Sequence, residues 1–134
     1  MTHLDTSYLI DLLRENGRGI EGPATRALEE LSEDELGVSV HVACELHAGA
    51  AQSADPQREH GRVEALLSAL WRAEPGEAFP IAYGRTLAKL RRRGETVSTT
   101  DLLIATAALV DGAALVTRNV RDFERIPGLT VISY

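Results

Sequence analysis

Asp101-Leu102-Leu103-Ile104-Ala105-Thr106-Ala107-Ala108-Leu109-Val110, followed closely by Ala114-Leu115-Val116-Thr117, is the stretch that decides the fold. From Thr100 to Val110 the pattern is apolar almost all round, with no polar stripe, which predicts a helix buried between layers. Ala114 to Thr117 then reads as a short strand, and a buried helix feeding such a strand is typical of a sheet covered on both faces.

Working outward, Leu129 to Ile132 predicts a last strand. Tyr83 to Arg92 predicts a helix with a basic outer face that stops at Gly94, and Ala78 to Ile81 a brief strand before it. Val63, Leu66, Leu67, Leu70 and Trp71 follow the i, i+3, i+4, i+7, i+8 rule of an amphipathic helix, with Trp71 read as core. Gly37-Val38-Ser39-Val40 reads as a strand leading into a helix over His41 to Ala50, and Ala24, Ala27, Leu28 and Leu31 as a short helix. At the start, His3-Leu4 forms a strand and Tyr8, Leu9, Leu12 and Leu13 line a helix entered at Asp5-Thr6-Ser7. The order is that of an α/β domain. Right-handed crossovers then favour a mainly parallel central sheet of four to five strands with helices on both faces.

Composition sets the frame. The 134 residues are 44% apolar and 25% charged, without repeats or long linkers, which describes a single compact domain over residues 1–134. Cys44 is the lone cysteine, which excludes a disulfide framework and fits a reducing cytoplasm. The longest nearly apolar run, Leu102 to Val110, is too short to span a bilayer, and Met1-Thr2-His3-Leu4-Asp5 lacks the features of a signal peptide. A cytoplasmic protein without a membrane role is expected. The net charge of -6 argues against a broad grip on nucleic acid. It is unevenly spread, however: residues 1–74 hold 6 Lys/Arg and 14 Asp/Glu, residues 75–134 hold 8 and 6, so a local basic groove stays open.

Ligands of parallel sheets bind beyond the carboxyl ends of the strands. Asp5 follows the first strand, Glu45 lies a turn past the second, Asp101 opens the buried helix, and Asn119 and Asp122 follow the strand ending at Thr117. Each has an ordinary explanation. Asp5 and Asp101 suit helix N-termini, Ser98-x-x-Asp101 resembles a capping box, and Asn119 suits a cap. Together, though, one topology brings them to one edge of the sheet, where converging carboxylates repel unless a cation offsets them. Mg²⁺ or Mn²⁺ suits such oxygen ligands, lowers the pKa of a bound water and stabilises the charge of a phosphoryl transition state. The four histidines, His3, His41, His47 and His60, show no H-E-x-x-H spacing, and no phosphate-cradling glycine loop occurs. Ser7 and Ser39 read as caps or hydrogen-bonding supports.

Leu4-Asp5-Thr6-Ser7, Ser39-Val40-x4-Glu45-Leu46-x2-Gly49, Asp101-Leu102-Leu103-Ile104-Ala105 and Val116-Thr117-Arg118-Asn119-x2-Asp122-Phe123 resemble, in order and spacing, the four signature blocks of PIN-domain ribonucleases. Ile126-Pro127-Gly128-Leu129 is similar to the ending of VapC-type toxins of toxin–antitoxin pairs. The resemblance implies a Mg²⁺- or Mn²⁺-dependent endoribonuclease in which Asp5 and Asp101 hold the metal, Glu45 orients or deprotonates the attacking water, and Thr6, Ser39, Thr117 and Asn119 support them. Many PIN domains carry an acidic residue where this chain has Asn119, so either Asp122 substitutes in the fourth acidic place through the short helix or the site runs with three carboxylates. It further implies cleavage to a 5′-phosphate, a structured RNA substrate such as tRNA or ribosomal RNA, a homodimer, and a cognate antitoxin. Arg85, Lys89, Arg92 and Arg93 on one helix, with Arg118 and Arg121 beside the site, are candidate RNA contacts. Leu9, Leu12, Leu13 and the Val63–Trp71 helix are candidate antitoxin faces, although core packing accounts for most of them.

Two other classes fit the same order of elements. A non-catalytic PIN-like binding module would keep the fold without a working metal site, which the Asn119 departure allows. A phosphotransfer receiver domain would need an acidic pair after the first strand and a late lysine, and this chain has Asp5 alone and no lysine beyond Lys89.

Overall fold

The computed structural model describes residues 1–134. In chain order the elements are β1 (Thr2–Leu4), α1 (Thr6–Arg18), α2 (Pro23–Glu30), β2 (Leu36–Ser39), α3 (Val40–Ala51), α4 (Pro56–Leu67), β3 (Trp71–Ala73), α5 (Phe79–Arg92), α6 (Thr99–Val110), β4 (Ala114–Val116), α7 (Val120–Glu124) and β5 (Val131–Ile132). The five strands form one sheet in the order β3-β2-β1-β4-β5, and every pairing is parallel. Right-handed crossovers place α1 to α4 over one face and α5 to α7 over the other. No helix is long and apolar enough to cross a membrane.

The local rules explain most boundaries. α1 stops where Gly19 takes the left-handed conformation, φ 65°, which a Cβ would oppose. Ser39 caps α3 by accepting from the backbone N–H of Val42, and Ser98 caps α6 by accepting from Asp101. As its all-round apolar pattern predicts, α6 is nearly enclosed: Leu102, Ile104, Ala105, Thr106, Ala107 and Ala108 are all buried. Leu102, Ile104, Ala105 and Ala108 join Leu4, Val38, Leu115 and Val116 of the central strands in one core. Leu9 and Leu12 belong to it as well, whereas Leu13 and Ile10 are only half-buried.

Two expectations fail. Ala78 to Ile81 is not a strand but the entry to α5, with Pro80 in its first turn, where a fixed φ and a missing N–H suit a helix start. The missing strand is instead Trp71–Ala73, which pairs with Gly37–Ser39 along the sheet edge. The helix predicted through Trp71 ends at Leu67, so Trp71 is not core and stays 42% exposed. Helical spacing placed Trp71 on the buried face of α4, but edge pairing turns its backbone into the sheet. Its ring lies over Gly37, where an added Cβ would sit 3.2 Å from Trp71 Cε3 and 3.3 Å from His3 Cδ2. That crowding accounts for a glycine inside β2.

One buried charge fastens the first two helices. Glu15, near the end of α1, accepts from the backbone N–H groups of Gly22, Ala24 and Thr25 at 2.8, 2.9 and 2.9 Å, and so caps α2 from outside its own sequence. Burial pushes the carboxyl pKa up, but the hydrogen bonds from Thr25, Ala24 and Gly22 outweigh it and hold it below the ordinary value. A depressed folded-state pKa contributes stability above the unfolded value and loses it as pH falls through the folded one. Glu15→Gln is therefore expected to cost about 2 kcal/mol at neutral pH in denaturant unfolding. The gap from wild type should narrow once pH drops below the ordinary carboxyl value of 4.5.

Candidate active site

The chain steps from β1 outward to β2 and β3, then returns to lay β4 on the other side of β1. The order thus reverses between β1 and β4, where a parallel sheet leaves a crevice beyond its carboxyl ends. Asp5 stands at that point. It is the first residue past β1, its backbone N–H donates to the Val116 carbonyl of β4 at 3.0 Å, and it is 3% exposed.

Its side chain does not cap α1. Instead Oδ2 accepts from the hydroxyls of Ser7 at 2.8 Å and Thr117 at 2.7 Å, one from each side of the crevice. Those hydroxyls are held in turn: the backbone N–H of Arg118 donates to Ser7 Oγ at 3.1 Å, and that of Asn119 to Thr117 Oγ1 at 2.9 Å. The chain supplies no hydrogen bond to Oδ1, so that oxygen is free to bind something else.

Asp101 opens α6, half-buried, on the same side of the sheet edge. Burial raises its carboxyl pKa, the Ser98 hydroxyl opposes that, and the charges of Asp5, Asp122 and Glu45 raise it further. All three predicted partners therefore act on Asp101. Glu45 is exposed on α3, and its Oε1 accepts from Thr6 Oγ1 at 2.6 Å, which fixes its direction. Asp122 is exposed in the first turn of α7. Asn119 takes the N-cap position of α7, but its side chain makes no cap bond. Ser39 is spent on capping α3.

No three of these carboxylates draw together into a ready-made ligand shell. Mg²⁺ does not require one, because it binds through one or two carboxylates and keeps several waters. The donors are all oxygen, two of them anchored, and none of these carboxylates is ion-paired with a Lys, Arg or His of the chain; that chemistry fits a hard divalent ion.

Around the site, Arg118 is drawn to Asp11, Nη1 to Oδ1 at 2.7 Å, and the Tyr134 hydroxyl donates to the other oxygen of Asp11 at 2.5 Å. Neither Asp11 nor Tyr134 carries a sequence signal, since they meet across 123 positions. Arg121 is exposed. Arg85, Lys89, Arg92 and Arg93 are all exposed on α5 or its cap, joined by Arg91, which the helical stripe omitted. The short link of residues 93–98 carries this basic end to Asp101, and Arg125 braces the link by donating to the Thr96 carbonyl at 2.9 Å. On the other flank, Ile10, Leu13, Leu46, Ala50 and Val63 line a groove of about 300 Å³ with Glu45 on its wall.

Known proteins share this fold. The PIN domain family model matches residues 3–129. Ribonuclease VapC1 of Haemophilus influenzae is 32% identical over 126 residues, covering 94% of this chain and 92% of its own. The tRNA(fMet)-specific endonuclease VapC of Salmonella typhimurium is 35% identical over 101 residues, 75% of this chain and 76% of its own. Among solved structures, VapBC2 from Rickettsia felis bound to a DNA fragment from its promoter superposes with a TM-score of 0.90 at 25% identity, covering 99% of this chain and 98% of that one. DNA-bound VapBC from Salmonella typhimurium gives 0.87 at 30% identity with the same coverage. With the PIN domain model matching residues 3–129 on a five-stranded parallel sheet of order β3-β2-β1-β4-β5, the chain belongs to the PIN domain family.

Proposed function

We propose that this chain is the endoribonuclease toxin of a toxin–antitoxin pair and cleaves RNA with the help of Mg²⁺ or Mn²⁺. The observation that carries the reading is the buried Asp5 at the β1–β4 crevice, held by the Ser7 and Thr117 hydroxyls through one oxygen, with the half-buried Asp101 opening α6 on the same edge. The ribonuclease names of the relatives and the VapBC complexes among the structural neighbours support it.

Asp5 and Asp101 would hold the cation, Asp5 through the oxygen its hydroxyl partners leave free. When bound, a divalent ion offsets the charge of the scissile phosphate and acidifies water. The residues of the chain do the rest. Ser7 and Thr117 keep Asp5 from rotating, Thr6 aims Glu45 so that it accepts a proton from the attacking water, and Asp122 supplies the charge that Asn119 lacks. Attack by water needs no ribose 2′-hydroxyl, so the products carry 5′-phosphates.

The exposed guanidinium and ammonium groups of Arg85, Lys89, Arg92 and Arg93 lead toward Asp101, and with Arg118 and Arg121 they would take RNA phosphates. A transfer RNA is the favoured substrate, on the name of one relative. The groove beside Glu45 would receive an apolar antitoxin segment, whose basic residues would meet the acidic crevice. A homodimer is the expected assembly.

The test is cleavage of pooled cellular RNA by the antitoxin-free protein. Discrete 5′-phosphorylated products are expected with Mg²⁺ or Mn²⁺ and none with EDTA. Asp5→Asn and Asp101→Asn should each lower kcat/KM by at least about 100-fold while circular dichroism stays native. Thr6→Val, which frees Glu45 without removing it, should lower kcat about tenfold with KM little changed. Reversing the basic end of α5 in Arg92→Glu/Arg93→Glu should raise KM about tenfold, spare kcat, and flatten the dependence of KM on salt. Cleavage that persists in EDTA or in Asp5→Asn would contradict the reading, and a folded protein that cleaves nothing would favour a binding-only module.

A further inference from the structure

One polar cluster has no part in the carboxylate site. His47 of α3 and His60 of α4 face each other with their Nδ1 atoms 2.8 Å apart. Their ring centroids are 5.0 Å apart, at an interplanar angle of 29°. Nitrogens that close at that centroid separation require rings meeting edge to edge, so each Nδ1 points straight at the other. The far nitrogen of His47, Nε2, lies 2.6 Å from Oε1 of Glu64.

For a neutral imidazole pair these contacts assign the tautomers. An ionised carboxylate only accepts, so His47 carries its proton on Nε2 and presents a bare lone pair at Nδ1. His60 fills the gap by donating its own Nδ1–H. A histidine that donates from one ring nitrogen to a carboxylate is oriented as metal-ligating histidines are, and here its other nitrogen faces a second imidazole.

We propose that His47 and His60 form a binding site for a transition-metal cation of the Zn²⁺ class, clamped between α3 and α4, with Glu64 as the outer partner of His47. Loading requires His60 to carry its proton on Nε2 instead of Nδ1. It also requires the two nitrogens to part: with Zn–N bonds of about 2.0–2.1 Å, by roughly half an ångström once each ring has swung off the line joining them so that the two lone pairs meet at the tetrahedral angle. Both changes stay within side chains: the His47 side chain is 31% exposed and that of Glu64 61%, so neither is locked in the core. Water fills the remaining coordination positions. Two imidazoles select this class of ion over Mg²⁺, which takes oxygen, so the site is chemically separate from Asp5 and Asp101. Because α3 carries Glu45 and Leu46 and α4 carries Val63, a bound ion would pin together two walls of the groove beside the crevice.

The experiment is calorimetric titration of untagged Asp5→Asn/Asp101→Asn protein, whose carboxylate centre is disabled, with ZnCl₂ and separately with MgCl₂. One Zn²⁺ per chain is expected, no Mg²⁺, a 10- to 100-fold weaker affinity in Glu64→Gln, and loss of uptake when His60→Gln is added. Imidazole nitrogen NMR should show the His47 and His60 resonances shifting together with Zn²⁺. Wild-type protein in saturating MgCl₂ serves as a second background should the double variant misfold. Zn²⁺ uptake that survives His60→Gln, or no uptake by folded protein in either background, would overturn the proposal.

Discussion

A carboxylate at the end of a central strand, 3% exposed, has few ways to exist. Asp5 does so because Ser7 and Thr117 each donate a hydroxyl to the same oxygen, and because those hydroxyls are themselves held by backbone N–H groups. This small network reaches across the gap where β1 meets β4, so the position of β4 and the direction of Asp5 are set together. The buried helix α6 leads into β4 and brings Asp101 to the same edge. Everything that gives the crevice its chemistry therefore rests on how one buried oxygen is satisfied.

The same arrangement carries a cost. Charges on Asp5, Asp122 and Glu45 press on Asp101, and none of these four carboxylates forms a salt bridge within the chain. Elsewhere the protein treats its buried carboxylate differently: Glu15 receives three backbone N–H donors and stabilises the fold. One acidic group is thus fully partnered and structural, whereas the other cluster is left short of positive charge. Proteins tolerate such local destabilisation where a ligand relieves it.

Much of this was legible in the residues. The all-round apolar run of α6 and the strand after it announced a parallel sheet, and the polar residues just past the strand ends announced the crevice. Pattern reading failed at β3, because Val63, Leu66, Leu67, Leu70 and Trp71 keep helical spacing beyond the point where the helix stops. What took over at Trp71 was pairing with Gly37, a contact between residues far apart in sequence. Distance along the chain also hid Asp11 with Tyr134, and Glu15 as the cap of α2, since a helix can borrow its cap from another element. Asn119 and Asp122 show the reverse: sequence alone leaves open which one fills the fourth place, and only Asp122 brings a charge that bears on Asp101. Hydroxyls fell between these cases, since Ser7 read as a support but its reach to Asp5 depends on β4 lying alongside.

The central claim is that the crevice is a cluster of mutually repelling carboxylates waiting for a divalent cation. Thermal unfolding of wild type and Asp101→Asn, each in EDTA and in millimolar MgCl₂, tests it without any substrate. The account predicts that Asp101→Asn unfolds at a higher temperature than wild type in EDTA, because it removes repulsion, and that Mg²⁺ raises the midpoint of wild type far more than that of the variant. A variant less stable than wild type in EDTA, together with midpoints indifferent to Mg²⁺, would contradict it.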